Sequence, residues 1–146
     1  MPGIKIRTVY SRELAIVHKI EKIAFKNPYP LTFITSLFLR NPKTFLVAVK
    51  KEEIVGYIIA TTQTDVGLII SIAVIPPEKR KGIGKNLITA IIHILKDIGM
   101  NSVRLEVRRS NINAQRFYEA LGFEYTHTIC LYYGNENAFV YFKFLN

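Results

Sequence analysis

The sequence contains a single cysteine, Cys130, and no tryptophan among its 146 residues. A lone thiol excludes a disulfide framework within the chain and any metal site built from several thiolates. We expect Cys130 to be a small core residue on a late strand. The three histidines have neither the spacing nor the thiolate partners of a zinc site, so we expect no bound metal.

Long apolar runs are also lacking. No stretch approaches the roughly 20 apolar residues of a membrane-spanning helix, and the first residues lack the hydrophobic run of a signal peptide. We therefore expect a cytoplasmic protein with no membrane partner. Hydrophobic residues make up 49% of the chain, with only 8 glycines and 6 prolines, which favours a compact globule. A chain of this length buries one core, so we predict one domain over residues 1–146.

Acidic residues are few relative to basic ones. The chain has 20 lysines and arginines against 11 acidic residues, a net charge of +9, and such an excess suits an anionic partner. No helix-turn-helix, zinc-finger or RNP pattern is present, so we expect no specific nucleic-acid binding. A small phosphorylated molecule and association with the ribosome both remain open.

Hydrophobic spacing predicts seven strands and four helices. The predicted strands are residues 4–8, 45–49, 54–62, 67–75, 103–107, 123–131 and 138–144. The predicted helices are residues 13–25, 31–39, 83–98 and 111–121. In the first helix one apolar stripe holds Leu14, Val17, Ile20, Ile23 and Ala24. A strand-rich first half followed by β-α-β-α-β-β favours an α+β fold, with a mixed sheet between helices on both faces (α/β/α layers).

The most informative segment is a basic Gly-x-Gly turn between the fourth strand and the third helix. Pro76 and Pro77 end the strand, because proline cannot continue a ladder, and Gly82 and Gly84 allow backbone conformations that a side chain would block. The free N–H groups of a helix start form an anion site. Neither a Walker loop nor a full Rossmann fingerprint is present. An ordinary solvated turn is the alternative to a pyrophosphate site.

A second segment favours the pyrophosphate site over the ordinary turn. It contains Ser110-Asn111-Ile112-Asn113-Ala114, then Phe117-Tyr118, then Leu121-Gly122-Phe123. Together with the Gly-x-Gly turn, it resembles the GNAT N-acetyltransferases. The likeness spans nearly the whole chain and is strongest to RimI-type ribosomal-protein acetyltransferases and the catalytic subunits of protein N-terminal acetyltransferases.

This resemblance implies a GNAT fold with a mostly antiparallel seven-stranded sheet, and acetyl-CoA as the co-substrate. In the family, a turn of the pattern Arg/Gln-x-x-Gly-x-Gly/Ala binds the pyrophosphate, and backbone N–H groups of the preceding strand face the thioester. The first motif position is Lys79 here, which keeps the charge but loses a planar fork. The positions that match the cofactor site are Ile72, Ala73, Val74, Lys79, Arg80, Lys81, Gly82, Ile83, Gly84, Lys85, Asn111, Ala114, Phe117 and Tyr118.

The resemblance also assigns catalytic roles. Glu106 stands where RimI-type enzymes have a general base, acting directly or through water, and Tyr118 stands where a phenol reprotonates the thiolate of coenzyme A. The alternatives are that Glu106 is a surface glutamate paired with Arg104 or Arg108, and that Tyr118 is a packing aromatic.

The implied acceptor is the N-terminal amine of a protein, either a ribosomal protein or nascent chains more broadly. Residues with aromatic rings suit an extended peptide whose side chains vary, so we expect Phe25, Tyr29, Tyr132 and Tyr133 to bind it. The alternative is that these tyrosines only cover a sheet edge. Acetylation of a small amine, and a non-catalytic coenzyme A-binding module, are the competing functions. We expect a monomer or a weak homodimer.

Overall fold

A computed structural model describes residues 3–146. Its seven strands are β1 (Ile4–Thr8), β2 (Phe45–Lys50), β3 (Glu53–Gln63), β4 (Val66–Val74), β5 (Ser102–Arg108), β6 (Glu124–Ile129) and β7 (Ala138–Phe144). Its four α-helices are α1 (Leu14–Ala24), α2 (Leu31–Arg40), α3 (Ile83–Asp97) and α4 (Ile112–Ala120). Every strand and helix predicted from hydrophobic spacing is present, with small shifts at the ends.

The strands form one hydrogen-bonded sheet in the order β1-β2-β3-β4-β5-β7-β6. The pairs β1–β2, β2–β3, β5–β7 and β6–β7 are antiparallel. The pair β4–β5 is parallel, and its register joins Val66–Leu68 to Ser102–Arg104. The predicted mixed, mostly antiparallel sheet of seven strands with four helices is therefore confirmed.

The described residues divide into two compact units, 3–61 with 69–98 and 62–68 with 99–146. The single domain over residues 1–146 stays a prediction, and residues 1 and 2 of that range lie outside the described part. Residues 3–61 with 69–98 are called the first unit, and residues 62–68 with 99–146 are called the second unit.

The core of the first unit forms where α1 and α2 meet the buried side chains of β2 and β3. Burying one such aliphatic or aromatic side chain contributes about 1.5–3 kcal/mol. The core residues are Val9, Leu14, Val17, Ile20, Ile34, Leu37, Phe45, Val47, Tyr57, Ile59 and Ala73.

Helix α1 departs from the predicted stripe in its last turn. Ile23 is 59% exposed and Ala24 is exposed, so their assignment to the apolar stripe was wrong. Glu21 is buried instead, at 1% exposure. For Ile23 the reason is geometric: at 3.6 residues per turn, position 21 follows 14 and 17 along one face, whereas position 23 lies to its side. Ala24 is the last residue of α1.

In the second unit, alternation along β5 sorts its side chains onto two faces. Val103, Leu105 and Val107 are buried, whereas Arg104 and Glu106 between them are half-buried. Successive strand residues point to opposite faces, so Glu106 is held at the surface by a strand whose other side is anchored in the core.

Cys130 is exposed, so its assignment as a core residue was wrong. Strand β6 ends at Ile129, and Leu131 has a positive φ of 52°. The chain therefore turns at Cys130 rather than continuing through the sheet. Of the helices between residues 3 and 146, none has both the length and the apolar composition to cross a membrane.

Candidate active site

The turn between β4 and α3 presents backbone N–H groups and positive charge to solvent. Gly82 precedes α3 with a φ of 88°, in the left-handed region that favours glycine. The first helical bond runs from the N–H of Asn86 to the carbonyl of Gly82, at 3.0 Å. The N–H groups of residues 83–85 come before that bond, so they are donors without a partner inside the helix.

The side chains around this turn are mostly exposed cations: Lys79, Arg80, Lys81 and Lys85. Glu78 is the acidic residue among them. Its Oε1 lies 2.9 Å from Nζ of Lys50 and 3.5 Å from Nζ of Lys81, and Lys50 holds its pKa below the ordinary value. Because these two lysines neutralise Glu78, the remaining cations are available to an anion.

The end of β4 approaches its neighbour very closely. A Cβ on Gly56 of β3 would lie 3.0 Å from the carbonyl oxygen of Ala73, so only glycine fits there without a shift. The side chain of Ala73 is buried, whereas Ile72 and Val74 are half-buried. Glycine at position 56 thus lets β3 and the end of β4 lie close together within the first unit.

In the second unit, Glu106 of β5 lies among other polar side chains. Its side chain is 24% exposed, and its Oε2 is 3.8 Å from Nε of Arg104. The hydroxyl of Tyr132 donates a long hydrogen bond of 3.4 Å to Oε1. The structure therefore contains the alternative pair of Glu106 with Arg104. Arg108 instead donates to Glu136, at 3.1 Å.

Asn111 caps the start of helix α4. The Asn111 side chain accepts from the N–H of Ala114 at 3.1 Å, and Phe117 and Tyr118 follow on the helix. Tyr118 is 8% exposed, and its ring makes edge contacts with Phe117 and Phe123 at 5.1 and 5.7 Å. Burial raises the pKa of the Tyr118 phenol, and Tyr133 raises it further.

The loop from Leu131 to Asn137 is tied to the start of α4 by residues that the sequence analysis missed. Glu136 accepts from the side chain of Arg108, and from the N–H and hydroxyl of Ser110 at 3.3 and 3.0 Å. The side chain of Asn137 accepts from the N–H of Leu131 at 2.8 Å. The sequence shows Ser110 beside a basic strand end, but its partner Glu136 lies 26 positions further along the chain.

The loop carries two of the predicted acceptor residues. Tyr132 is 51% exposed, and its ring meets that of Tyr133 edge-on at 5.0 Å. The guanidinium of Arg108 lies 4.1 Å from the centre of the Tyr133 ring. Glu136 therefore holds Arg108, which in turn covers one face of Tyr133.

The other two predicted acceptor residues belong to the first unit. Phe25 directly follows α1 and is 39% exposed, and Tyr29 is 38% exposed. The Tyr29 ring lies 4.8 Å from that of Phe33. The N–H of Tyr29 donates to Oε2 of Glu21 at 3.0 Å. Glu21 was also missed from the sequence, although its place on the apolar face of α1 could have revealed it.

Comparison with known proteins identifies the family. The model of the acetyltransferase (GNAT) family matches residues 14–123, and the chain belongs to this family. The resemblance drawn from the two motifs is confirmed. In residues 3–146, no group of three or more His, Cys, Asp and Glu side chains is placed to hold a metal ion.

Three relatives and one solved structure illustrate the similarity. An uncharacterized N-acetyltransferase of Methanocaldococcus jannaschii is 36% identical over 94% of this chain and 90% of its own. An N-alpha-acetyltransferase of Sulfurisphaera tokodaii is 30% identical over 93% and 90%. A ribosomal protein bS18-alanine N-acetyltransferase of Haemophilus ducreyi is 29% identical over 81% of each chain. The crystal structure of Ard1 from Thermoplasma volcanium is 28% identical, covers 99% of both chains and has a TM-score of 0.94.

Proposed function

We propose that this protein is an N-α-acetyltransferase, which transfers the acetyl group of acetyl-CoA to the N-terminal amine of proteins. The observation that carries the proposal is its similarity, over nearly the whole chain, to an enzyme named for that activity. The relative that acts on ribosomal protein bS18 and the net charge of +9 support an acceptor on or near the ribosome.

The turn before α3 would anchor the pyrophosphate. Three N–H groups without a partner inside the helix, the helix dipole and neighbouring cations together favour a doubly charged group. Gly82 and Gly84 leave room for the phosphate oxygens to reach the backbone. Lys79, Arg80 and Lys85 add charge that Glu78 does not neutralise.

Acetyl-CoA supplies an activated thioester when it is bound. The backbone N–H groups of residues 72–74 are proposed to donate to its carbonyl oxygen as negative charge develops there. A fixed donor aimed at such an oxyanion is commonly worth about 3–4 kcal/mol.

Glu106 would accept the proton that the attacking amine loses, directly or through a water molecule. An α-amine titrates near 7.7–8.0 and a lysine amine near 10.4, so roughly a tenth of α-amines are already uncharged at neutral pH. A carboxylate is therefore a sufficient base for this acceptor. As the new C–N bond forms and the C–S bond breaks, Tyr118 would give its proton to the departing sulfur.

Phe25, Tyr29, Tyr132 and Tyr133 are proposed to hold the acceptor chain. Their exposed rings offer apolar area at low entropic cost, and the tyrosine hydroxyls can bond the peptide backbone. Such contacts do not depend on the acceptor's side chains, which suits an enzyme that meets many N-termini.

The test is acetylation of a peptide panel read by mass spectrometry. Peptides beginning with Ala, Ser, Met or an acidic residue are incubated with acetyl-CoA, beside spermidine and free lysine. The proposal predicts one acetyl group on the α-amine of at least one peptide class, and much less product from the small amines. Acetylation of spermidine or lysine alone would assign a small-molecule enzyme, and no product from any amine would indicate a binding module.

A further inference from the structure

A buried carboxylate joins the core of the first unit to residues 25–30, the segment that follows α1. Glu21 is 1% exposed. Its Oε1 accepts from the hydroxyl of Ser71 at 2.7 Å and from the hydroxyl of Tyr57. Its Oε2 accepts from the N–H of Tyr29 at 3.0 Å. One oxygen thus bonds the sheet, and the other bonds the segment.

Stability alone does not explain this carboxylate. Removing a charge from water costs several kcal/mol, and an apolar residue of similar volume often serves a fold equally well. Within residues 3–146, the hydrogen-bond partners of the Glu21 carboxylate are two hydroxyls and one amide, with no cation among them. Its neighbours on the same helix face, Leu14, Val17 and Ile20, are apolar, so a methionine would suit that face.

The backbone of the segment is bonded at each end to a neighbouring helix, and the N–H of Phe33 in α2 donates to the carbonyl of Pro30 at 3.0 Å. Helix α1 ends with the N–H of Phe25 bonded to the carbonyl of Glu21, at 3.0 Å, and α2 begins at Leu31. Pro28 and Pro30 have no N–H. Tyr29 therefore carries the one backbone donor of the Pro28-Tyr29-Pro30 stretch, and Glu21 accepts from it.

We propose that Glu21 is a positioning residue, which fixes the backbone of residues 25–30 so that Phe25 and Tyr29 meet the acceptor peptide in a set place. This inference rests on the proposed function, because it concerns the acceptor side of the reaction. Oε2 performs the positioning, whereas Oε1 holds the carboxylate in the core.

This division of the two oxygens allows a matched set of variants. Glu21→Met removes the acceptor for Tyr29 while keeping an apolar face on α1. Tyr57→Phe and Ser71→Ala each remove a donor to Oε1 and the 3.0 Å hydrogen bond between the two hydroxyls, and leave Oε2 in place. In Glu21→Gln the amide oxygen can accept from Tyr29, while the amide N–H groups donate to the two hydroxyls, which can also accept.

The measurement compares KM for peptide with KM for acetyl-CoA, alongside the thermal midpoint. Loss of one hydrogen bond corresponds to about a tenfold effect, so Glu21→Met should raise the peptide KM about tenfold. KM for acetyl-CoA should stay within about twofold. Glu21→Gln should restore the peptide KM nearly to that of the wild type. Tyr57→Phe and Ser71→Ala should lower the thermal midpoint and leave the peptide KM within about twofold.

Equal rises in peptide KM for Glu21→Met and Tyr57→Phe, at equal losses of thermal midpoint, would overturn the proposal, because general loosening would then explain both. Hydrogen exchange gives a readout that needs neither activity nor a folded variant. The Tyr29 amide should be protected in the wild-type protein, and a fast-exchanging Tyr29 amide also overturns the proposal. If the wild-type protein acetylates no peptide while Tyr29 is protected, the proposed function fails and the anchoring by Glu21 stands.

Discussion

The hydroxyl of Tyr132 donates to Oε1 of Glu106 across 3.4 Å, which joins a proposed acceptor residue to the proposed base. Partial burial raises the pKa of Tyr132, and the charge of Glu106 raises it further. Tyr132 therefore stays a donor at neutral pH. Its bond is long, and hydrogen bonds weaken quickly at such distances, so an incoming amine or water can displace it from Glu106.

Replacing the base should remove most of the turnover. A general base contributes typically about 10²–10⁴-fold, so Glu106→Gln should lower kcat by about 10²-fold or more, with acetyl-CoA affinity nearly unchanged. Tyr132→Phe should lower kcat far less, because its bond to Glu106 is weak. Steady-state kinetics and calorimetry check both, with the exposed Glu124→Gln as control. Wild-type turnover of Glu106→Gln across pH 6–9 would contradict the assignment.

Removing both loop tyrosines should affect the peptide rather than the cofactor. Tyr132→Ala combined with Tyr133→Ala deletes two exposed rings, so the peptide KM should rise far more than that of acetyl-CoA. Tyr125→Ala, which removes an exposed ring from β6, is the matched control. Equal rises in the two KM values would count against an acceptor site on this loop.

Tyr118→Phe tests the proposed acid. Because burial raises the pKa of this phenol, its protonated form persists at and above the ordinary value of about 10. Ionisation of Tyr118 should therefore not lower the wild-type kcat between pH 7 and pH 9. The variant should lower kcat by about 10²-fold at every pH in that range. Tyr125→Phe serves as control, and an unchanged kcat in Tyr118→Phe would leave Tyr118 as a packing residue.

Glu136 should make the loop sensitive to acid. The Ser110 hydroxyl and then Arg108 hold its pKa below the ordinary value. A lowered folded-state pKa adds stability above the unfolded-state pKa, near 4.3, and this stability is lost as pH falls through the folded-state pKa. Glu136→Gln should therefore lower the thermal midpoint at pH 7, and the difference from the wild type should shrink below pH 4. A difference that is constant from pH 7 to pH 3 would exclude this origin.

The local patterns of this sequence carry much of its architecture. The β-branched strand, the two prolines and Gly82 define a strand–turn–helix unit whose parts are close in sequence, and α3 begins where they predict. The two motifs likewise identify the family, because each is a contiguous stretch. Asn111 capped α4 because a cap is satisfied by an N–H only three residues away.

The residues that were not predicted from the sequence have partners far away along the chain. Glu21 bonds Tyr57 and Ser71, which lie 36 and 50 positions further along the chain. Glu136 bonds Ser110, which lies 26 positions before it. Periodicity places a residue on a face but does not show which hydroxyl or amide will meet it there. Cys130 was misplaced for a related reason: hydrophobic spacing alone does not show where β6 ends.

The proposed function requires that the basic turn before α3 bind the pyrophosphate of acetyl-CoA, and calorimetric titration with acetyl-CoA tests this most directly. The wild-type protein should bind one molecule, with an affinity that falls as salt is raised. Arg80→Ala combined with Lys85→Ala should weaken binding by about tenfold or more. Lys19→Ala combined with Lys96→Ala, which removes the same charge from exposed positions elsewhere, should not. No binding by the wild-type protein, or equal binding by the two double variants, would contradict the account.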